Sequence, residues 1–194
     1  MQYSEQPRNE LVKASAEIEG MRRAASLDVF EDHWKSYLNR LERIWNKASH
    51  HYGKSPKWNG WKGRYEQLRK KDELLSYLIN ARGADEHTVN AIVSREPGGI
   101  GINPTEGNSL FLEEMTIQNG VISIKSPQKL RVDFIPAKTK LIPITNRGRT
   151  YPAPTTHLGK PIDATDVIHV AEMGAEFYEK LLTDAESFFV RREK

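Results

Sequence analysis

At 194 residues the chain is long enough for one well-packed domain with an insertion. It contains no cysteine, which excludes a disulfide framework, a structural thiolate zinc site and a cysteine nucleophile, and leaves histidine, carboxylates and hydroxyls to carry any chemistry. The formal net charge of +3 is unevenly spread: residues 34–71 hold eleven Lys or Arg against Glu42 and Glu66, a local +9, so the remainder carries −6.

From Glu10 to Ala25, the residues Leu11, Ala14, Ile18, Met21 and Ala25 recur at three- and four-residue steps, one face of a first amphipathic helix. Ser26, with Asp28 behind it, is a capping signal for a second helix running to about Ala48. The stretch His50 to Gly63, with Gly53, Pro56, Gly60 and Gly63, reads as a basic loop. A third helix is predicted from Trp61 or Arg64, with Tyr65, Leu68, Leu75, Leu78 and Ile79 inward, ending in Ala81-Arg82-Gly83-Ala84-Asp85-Glu86-His87. Val89, Ile92 and Val93 suggest further helix. Pro97 to Gly101 breaks the pattern and reads as a turn. Beyond it apolar residues alternate, with Asn119-Gly120 a two-residue hairpin signal between Ile117 and Val121. Leu130 to Ile135 and Lys140 to Thr145 read as further strands, with Pro127, Pro136 and Pro143 at edges and turns. Helical spacing returns over Val167, Val170, Gly174, Phe177, Leu181, Ala185 and Phe188, after the capping candidates Asp163 and Thr165. The expected architecture is mainly α: one domain over 1–194, a helical bundle with an antiparallel β-rich insertion over 105–155 before the C-terminal helix. No run approaches the roughly 20 apolar residues of a membrane span, and MQYSEQPRNE lacks the order of a secretory signal. A cytoplasmic location is therefore expected.

The basic segment also holds all four tryptophans, Trp34, Trp45, Trp58 and Trp61, with Tyr37, Tyr52 and Tyr65. Cations interleaved with aromatic faces suit single-stranded nucleic acid, which makes Lys54, Lys57, Trp58, Trp61, Lys62 and Arg64 candidate RNA-binding residues. The helical spacing of Trp34, Tyr37, Leu38, Leu41, Ile44 and Trp45 equally describes a core face with a solvated cationic side. Metal-independent RNA cleavage needs a base for the ribose 2′-hydroxyl, an acid for the leaving 5′ oxygen and a cation for the charge on phosphorus. His87 titrates in the right range and Arg82 offers a permanently charged fork matched to phosphate oxygens, with Asp85 and Glu86 beside them to orient His87 or serve as an auxiliary base.

The sequence YLINARGADEHTV, in which Arg82 and His87 follow an amphipathic helix, resembles the signature of the HEPN superfamily, an Arg followed four to six positions later by His. The resemblance implies a helical bundle and a metal- and cofactor-independent endoribonuclease of toxin–antitoxin or phage-defence type. Arg82 and His87, with Glu86 in support, would form the site across a homodimer, leaving 2′,3′-cyclic phosphate and 5′-hydroxyl ends. An antitoxin or a defence-complex subunit is the partner it implies besides RNA. Gly83 stands where members often carry Asn, Asp or His. The alternative is therefore a non-catalytic HEPN-like subunit that binds nucleic acid or assembles a complex. On an unbroken helix Arg82 and His87 lie roughly 140° apart around the axis, so either a kink at Gly83 or a second subunit must complete the site. Weaker candidates are Asp163, Asp166 and His169, read as a metal group or as caps, and His50 and His51 as phosphate contacts. Arg147, Arg149 and His157, in turn-rich segments, line a site only if the fold brings them there.

Overall fold

The computed structural model describes residues 3–87, 93–135 and 138–190, and of residues 85–87 and 95 the backbone alone. Among them lie five helices and a set of small antiparallel strand pairs, so the architecture is mixed, a helical framework carrying more β structure than a mainly α reading allows. Two compact units divide the chain, Met1–Arg95 with Thr139–Lys194, and Glu96–Lys138.

In the helical unit, α1 (Gln6–Arg22) and α2 (Leu27–Tyr52) form an antiparallel hairpin. Ser26 caps α2 by accepting the Val29 amide at 3.2 Å. Ion pairs fix the register of the hairpin. The carboxylate of Glu10, almost wholly buried, receives Lys47 at 2.7 Å and Arg40 at 3.2 Å, while Glu17 lies 2.8 Å from His33. Burial works against charge on Glu10, but the Lys47 and Arg40 bonds outweigh it and hold the carboxyl below its ordinary range. Helix α5 (Val167–Phe189) runs antiparallel to α1, tied by Arg8 to Glu186 at 2.8 Å near one end and by Arg22 to Glu172 near the other. Asp166 caps α5 by accepting the His169 amide at 2.9 Å, and Asp163 accepts Thr165. Asp166 is the cap, and Asp163 holds the turn before it.

The predicted basic loop is corrected. Helix α2 continues to Tyr52, and α3 (Trp58–Lys71) begins inside the expected loop. Gly60 and Gly63 sit on its open side, where an added Cβ would meet nothing within 4 Å, so two glycines did not stop a helix anchored by Trp58 and Tyr65. Asp72 ends α3, and its Oδ1 accepts the Leu75 amide at 3.0 Å to start α4 (Glu73–His87) as a separate helix. Leu74, Leu75, Tyr77, Leu78, Ala81 and Ala84 are its buried face.

Val93, expected to prolong a helix, begins β1 (Val93–Glu96) instead, which pairs with β6 (Lys138–Leu141); Val89 and Ile92 lie outside the described residues. The single strand expected over Lys140 to Thr145 is two, β6 and β7 (Ile144–Asn146), because Pro143 has no amide to donate and the Ile142 carbonyl accepts the buried Tyr77 hydroxyl at 2.7 Å. β7 pairs with β8 (Arg149–Tyr151), and β9 (Thr156–His157) with β10 (Lys160–Pro161). These two short hairpins belong to the helical unit.

The smaller unit contains β2 (Gly99–Pro104) antiparallel to β5 (Leu130–Ile135), and the hairpin β3 (Glu114–Gln118) with β4 (Val121–Lys125). Asn119 and Gly120 turn that hairpin with φ of 51° and 78°, both left-handed as a type I′ turn requires. Among the described residues no helix is long and apolar enough to cross a membrane.

Candidate nucleic-acid interface

The amphipathic pattern of α4 turns Arg82 away from the buried stripe and leaves it half-buried, and its Nε donates to Asn39 Oδ1 of α2 at 3.1 Å. Asn39 is itself anchored, its Nδ2 donating to the Lys35 carbonyl at 3.1 Å. On the other flank, Asn80 Oδ1 accepts Asn146 Nδ2 of the β7–β8 hairpin at 3.0 Å. A Cβ added at Gly83 would stand 2.5 Å from that Asn146 nitrogen. Glycine is therefore needed here for close approach of the hairpin rather than for a kink, and α4 continues through Gly83 to His87.

Between these elements lies a cleft of about 350 Å³ whose charged lining is Arg69, Lys70, Arg82 and Arg147 against Glu42 and Glu66. The cations are not equivalent. Arg69 is almost enclosed, bonded to Glu42 at 2.6 Å and to the Tyr178 hydroxyl at 3.1 Å, with its guanidinium 4.2 Å over the Trp45 ring, so its charge is spent within the framework. Glu66 is engaged by Lys62 at 3.0 Å. Lys70, Arg82 and Arg147 are the other cations of the lining. Arg147 sits with φ of 50° and Gly148 with 75° in a two-residue turn, a conformation that favours Asn over Arg at the first position. The Asn146 Oδ1 buried behind it accepts no hydrogen bond.

The structure separates the other sequence-predicted residues. Glu86 and His87 fall in the last turn of α4, and their side chains lie outside the described residues. Since α4 is unbroken between them, helical geometry leaves Arg82 and His87 roughly 140° apart within one chain. Lys54 and Lys57 are exposed between α2 and α3. Trp58 is not a stacking platform. It is 3% exposed, with Tyr52 5.7 Å, Trp61 5.2 Å and Phe189 5.8 Å from it between ring centroids, which leaves no face for a base. Trp61 is partly exposed, but it packs on Trp58, Tyr65 and Phe189. Arg64, over the Trp61 ring at 5.5 Å, pairs with Asp184 at 3.3 Å. The cation-and-aromatic pattern of residues 34–71 thus resolves mainly into a core face and its ion pairs. Sequence reasoning missed the cleft itself, because Asn39, Lys70, Asn80 and Arg147 belong to four separate segments; the one local signal was an Arg-Gly turn where Asn-Gly would be easier.

Comparison with protein-family models, with curated proteins and with solved structures finds no match for this chain. The functional reading therefore rests on the cleft's own chemistry.

Proposed function

We propose that this chain binds RNA by its phosphodiester backbone at the Arg82 cleft and, as a homodimer of HEPN type, cleaves it without a metal. The observation that supports this most is the convergence of Lys70, Arg82 and Arg147 on one cleft, with Arg82 aimed by Asn39. A guanidinium held in place offers a preorganised fork to two non-bridging phosphate oxygens. In the reaction the ribose 2′ oxygen bonds to phosphorus as its proton passes to a base, and the bond to the 5′ oxygen breaks as that oxygen takes a proton from an acid. Arg82 would stabilise the charge on the pentacoordinate phosphate, and His87, with Glu86 beside it, would move the protons. A two-fold partner fits this reading because positions 82 and 87 of one α4 lie roughly 140° apart around the helix axis, whereas two copies near an axis would bring both kinds of group around one phosphate. A defence or toxin role with an antitoxin or complex subunit follows from the HEPN likeness of Arg82-Gly83-Ala84-Asp85-Glu86-His87 alone.

A second reading, binding without cleavage, is favoured by Gly83, whose flank is filled by Asn146 instead of presenting a polar side chain to substrate. One experiment separates the two. Single-stranded RNA is incubated with the wild type, Arg82→Ala and His87→Ala in EDTA, with binding measured in parallel. Cleavage lost in both variants, with binding retained in His87→Ala, supports the nuclease. Binding by the wild type without cleavage selects the second reading, and absence of both overturns the RNA assignment.

A further inference from the structure

In the smaller unit each strand pairing sorts its residues by face. Cross-strand partners share a side, so the β2–β5 register puts Ile100 with Phe134, Ile102 with Val132 and Pro104 with Leu130 on one face, and Gly101 with Asp133 and Asn103 with Arg131 on the other. In the β3–β4 hairpin Met115 with Ile124 and Ile117 with Ile122 share a face, opposite Glu114 with Lys125 and Thr116 with Ser123. The polar side chains find partners inside the unit: Asp133 accepts Asn103 at 3.1 Å and Arg131 at 3.0 Å, and Lys125 lies 2.9 Å from Glu113. The Thr105 amide donates to the Lys129 carbonyl at 3.1 Å and the Glu113 amide to the Lys125 carbonyl at 2.9 Å, so the pairing runs on past the ends of both ladders.

The apolar faces are the ones left open. Phe134 is 82% exposed, Ile117 65% and Val132 59%, and most of the large apolar side chains that stand exposed among the described residues lie in this unit. Among those residues no third strand joins either pairing. A two-stranded ribbon is marginal in water by itself and becomes stable when its apolar side packs on another layer. Strict alternation with one wholly apolar face is the pattern of a strand pair that is covered, and polar residues on both sides would serve a solvated one.

We infer that the apolar face of the smaller unit is a homodimer interface, packed against the same face of a second copy. Charge and area select that occupant. Residues 96–138 hold five acids against four Lys or Arg. A nucleic acid or an anionic membrane calls for a clear excess of cations, whereas a face that meets itself across a two-fold axis needs none. The five exposed side chains of the apolar faces, Ile100, Met115, Ile117, Val132 and Phe134, present on the order of 100 Å² each and so roughly 500 Å² together. That matches the apolar share of one side of a stable interface, which buries about 800 Å² per partner. The contact involves the smaller unit alone and is independent of whether the Arg82 cleft cleaves RNA.

The test is sedimentation equilibrium of the full chain across the micromolar range, without nucleic acid, with far-ultraviolet circular dichroism to confirm that each variant is folded. The wild type should be a reversible dimer. Phe134→Glu and Ile117→Glu replace exposed side chains, so they should leave the fold intact and weaken the dimer at least about tenfold each. Thr116→Gln, on the opposite face of the hairpin, and Val12→Glu, on the exposed side of α1, should leave it unchanged. A wild type that stays monomeric throughout the range, or a dimer weakened equally by the two control variants, would overturn the inference. So would a dimer that survives both glutamate substitutions, which would place the two-fold contact elsewhere. Since no RNA is present, none of these results bears on cleavage, which Arg82→Ala and His87→Ala test separately.

Discussion

Gly83→Ala sets two opposing effects against each other at the base of the Arg82 cleft. In an exposed helix interior the substitution stabilises by about 1 kcal/mol, through helix propensity. Here the new Cβ would stand 2.5 Å from Asn146 Nδ2, too close to be kept, with the Cγ at 3.0 Å and the Oδ1 at 3.1 Å tight beside it. The Asn146 side chain must rotate, which breaks its 3.0 Å bond to Asn80, worth about 0.5–1.5 kcal/mol, and forces it off its rotamer at about 0.5–1.5 kcal/mol more. The expected net effect is therefore a loss of about 0–2 kcal/mol instead of a gain. Urea denaturation measures it, and a double-mutant cycle isolates it. With Asn146→Ala the obstruction is gone, so Gly83→Ala in that background should stabilise by about 1 kcal/mol, giving a coupling of about 1–3 kcal/mol. A full stabilising effect of Gly83→Ala in the wild type, with no coupling to Asn146→Ala, would refute the close approach and free Gly83 to be a hinge.

Arg147→Asn should stabilise the β7–β8 turn by about 1 kcal/mol, while weakening RNA binding and reducing its salt slope by about 1; an unchanged slope removes Arg147 from the interface. Trp58→Ala should cost about 3–5 kcal/mol by opening a cavity between Tyr52, Trp61 and Phe189, read by denaturation midpoint; a small loss would place the ring at the surface after all. Because Glu10 is held below its ordinary value of 4.5, its contribution is fully present above that pH and is lost as pH falls through the lower folded value. Glu10→Gln should accordingly flatten the acid limb of the stability–pH profile, and an unaltered limb would assign acid unfolding to other carboxylates.

The long elements were legible because each is set by its own residues. The 3.6-residue period marks α1, α2 and α5, Ser26 is the cap that was expected, and Asn119-Gly120 turns a hairpin where the alternation said it would. The failures have a common cause in tertiary contacts. Gly60 and Gly63 read as loop, yet the helix they weaken is held by Trp58 and Tyr65 against α5, and packing outweighs two glycines on an open face. The break between α3 and α4 depends on Asp72, whose carboxylate is held by His157 and Leu158, residues 85 and 86 positions away that no local pattern links to it. The candidate site divides in the same way. Arg82 was legible as a chemical group, but its cleft is assembled by α2, α3, α4 and a hairpin tip, and charge counting along the chain could not tell Arg69, consumed by Glu42 and Trp45, from Lys70 beside it.

Three two-residue turns with the same left-handed pair of conformations differ in what occupies the first position: Asn119, Arg147 and Leu158. Asn is the inexpensive choice, since its side chain tolerates positive φ, and each of the other two forgoes about 1 kcal/mol. A forfeited kcal/mol is a large share of a stability of 5–15 kcal/mol, so an expensive residue at a turn is informative in a way that an exposed Lys or Leu elsewhere is not. The two expensive turns are the two that α4 holds by polar side chains, Asn80 bonding Asn146 beside one and Asp72 with Glu73 gripping Thr155, Thr156, His157 and Leu158 beside the other. Each lines a cavity, one richer in Lys and Arg than in acids and one that combines apolar residues with charges of both signs. The inexpensive turn, in the smaller unit, lines neither cavity. Left-handed backbone and cavity therefore coincide at both of the turns that are tied by polar side chains to the α4 segment.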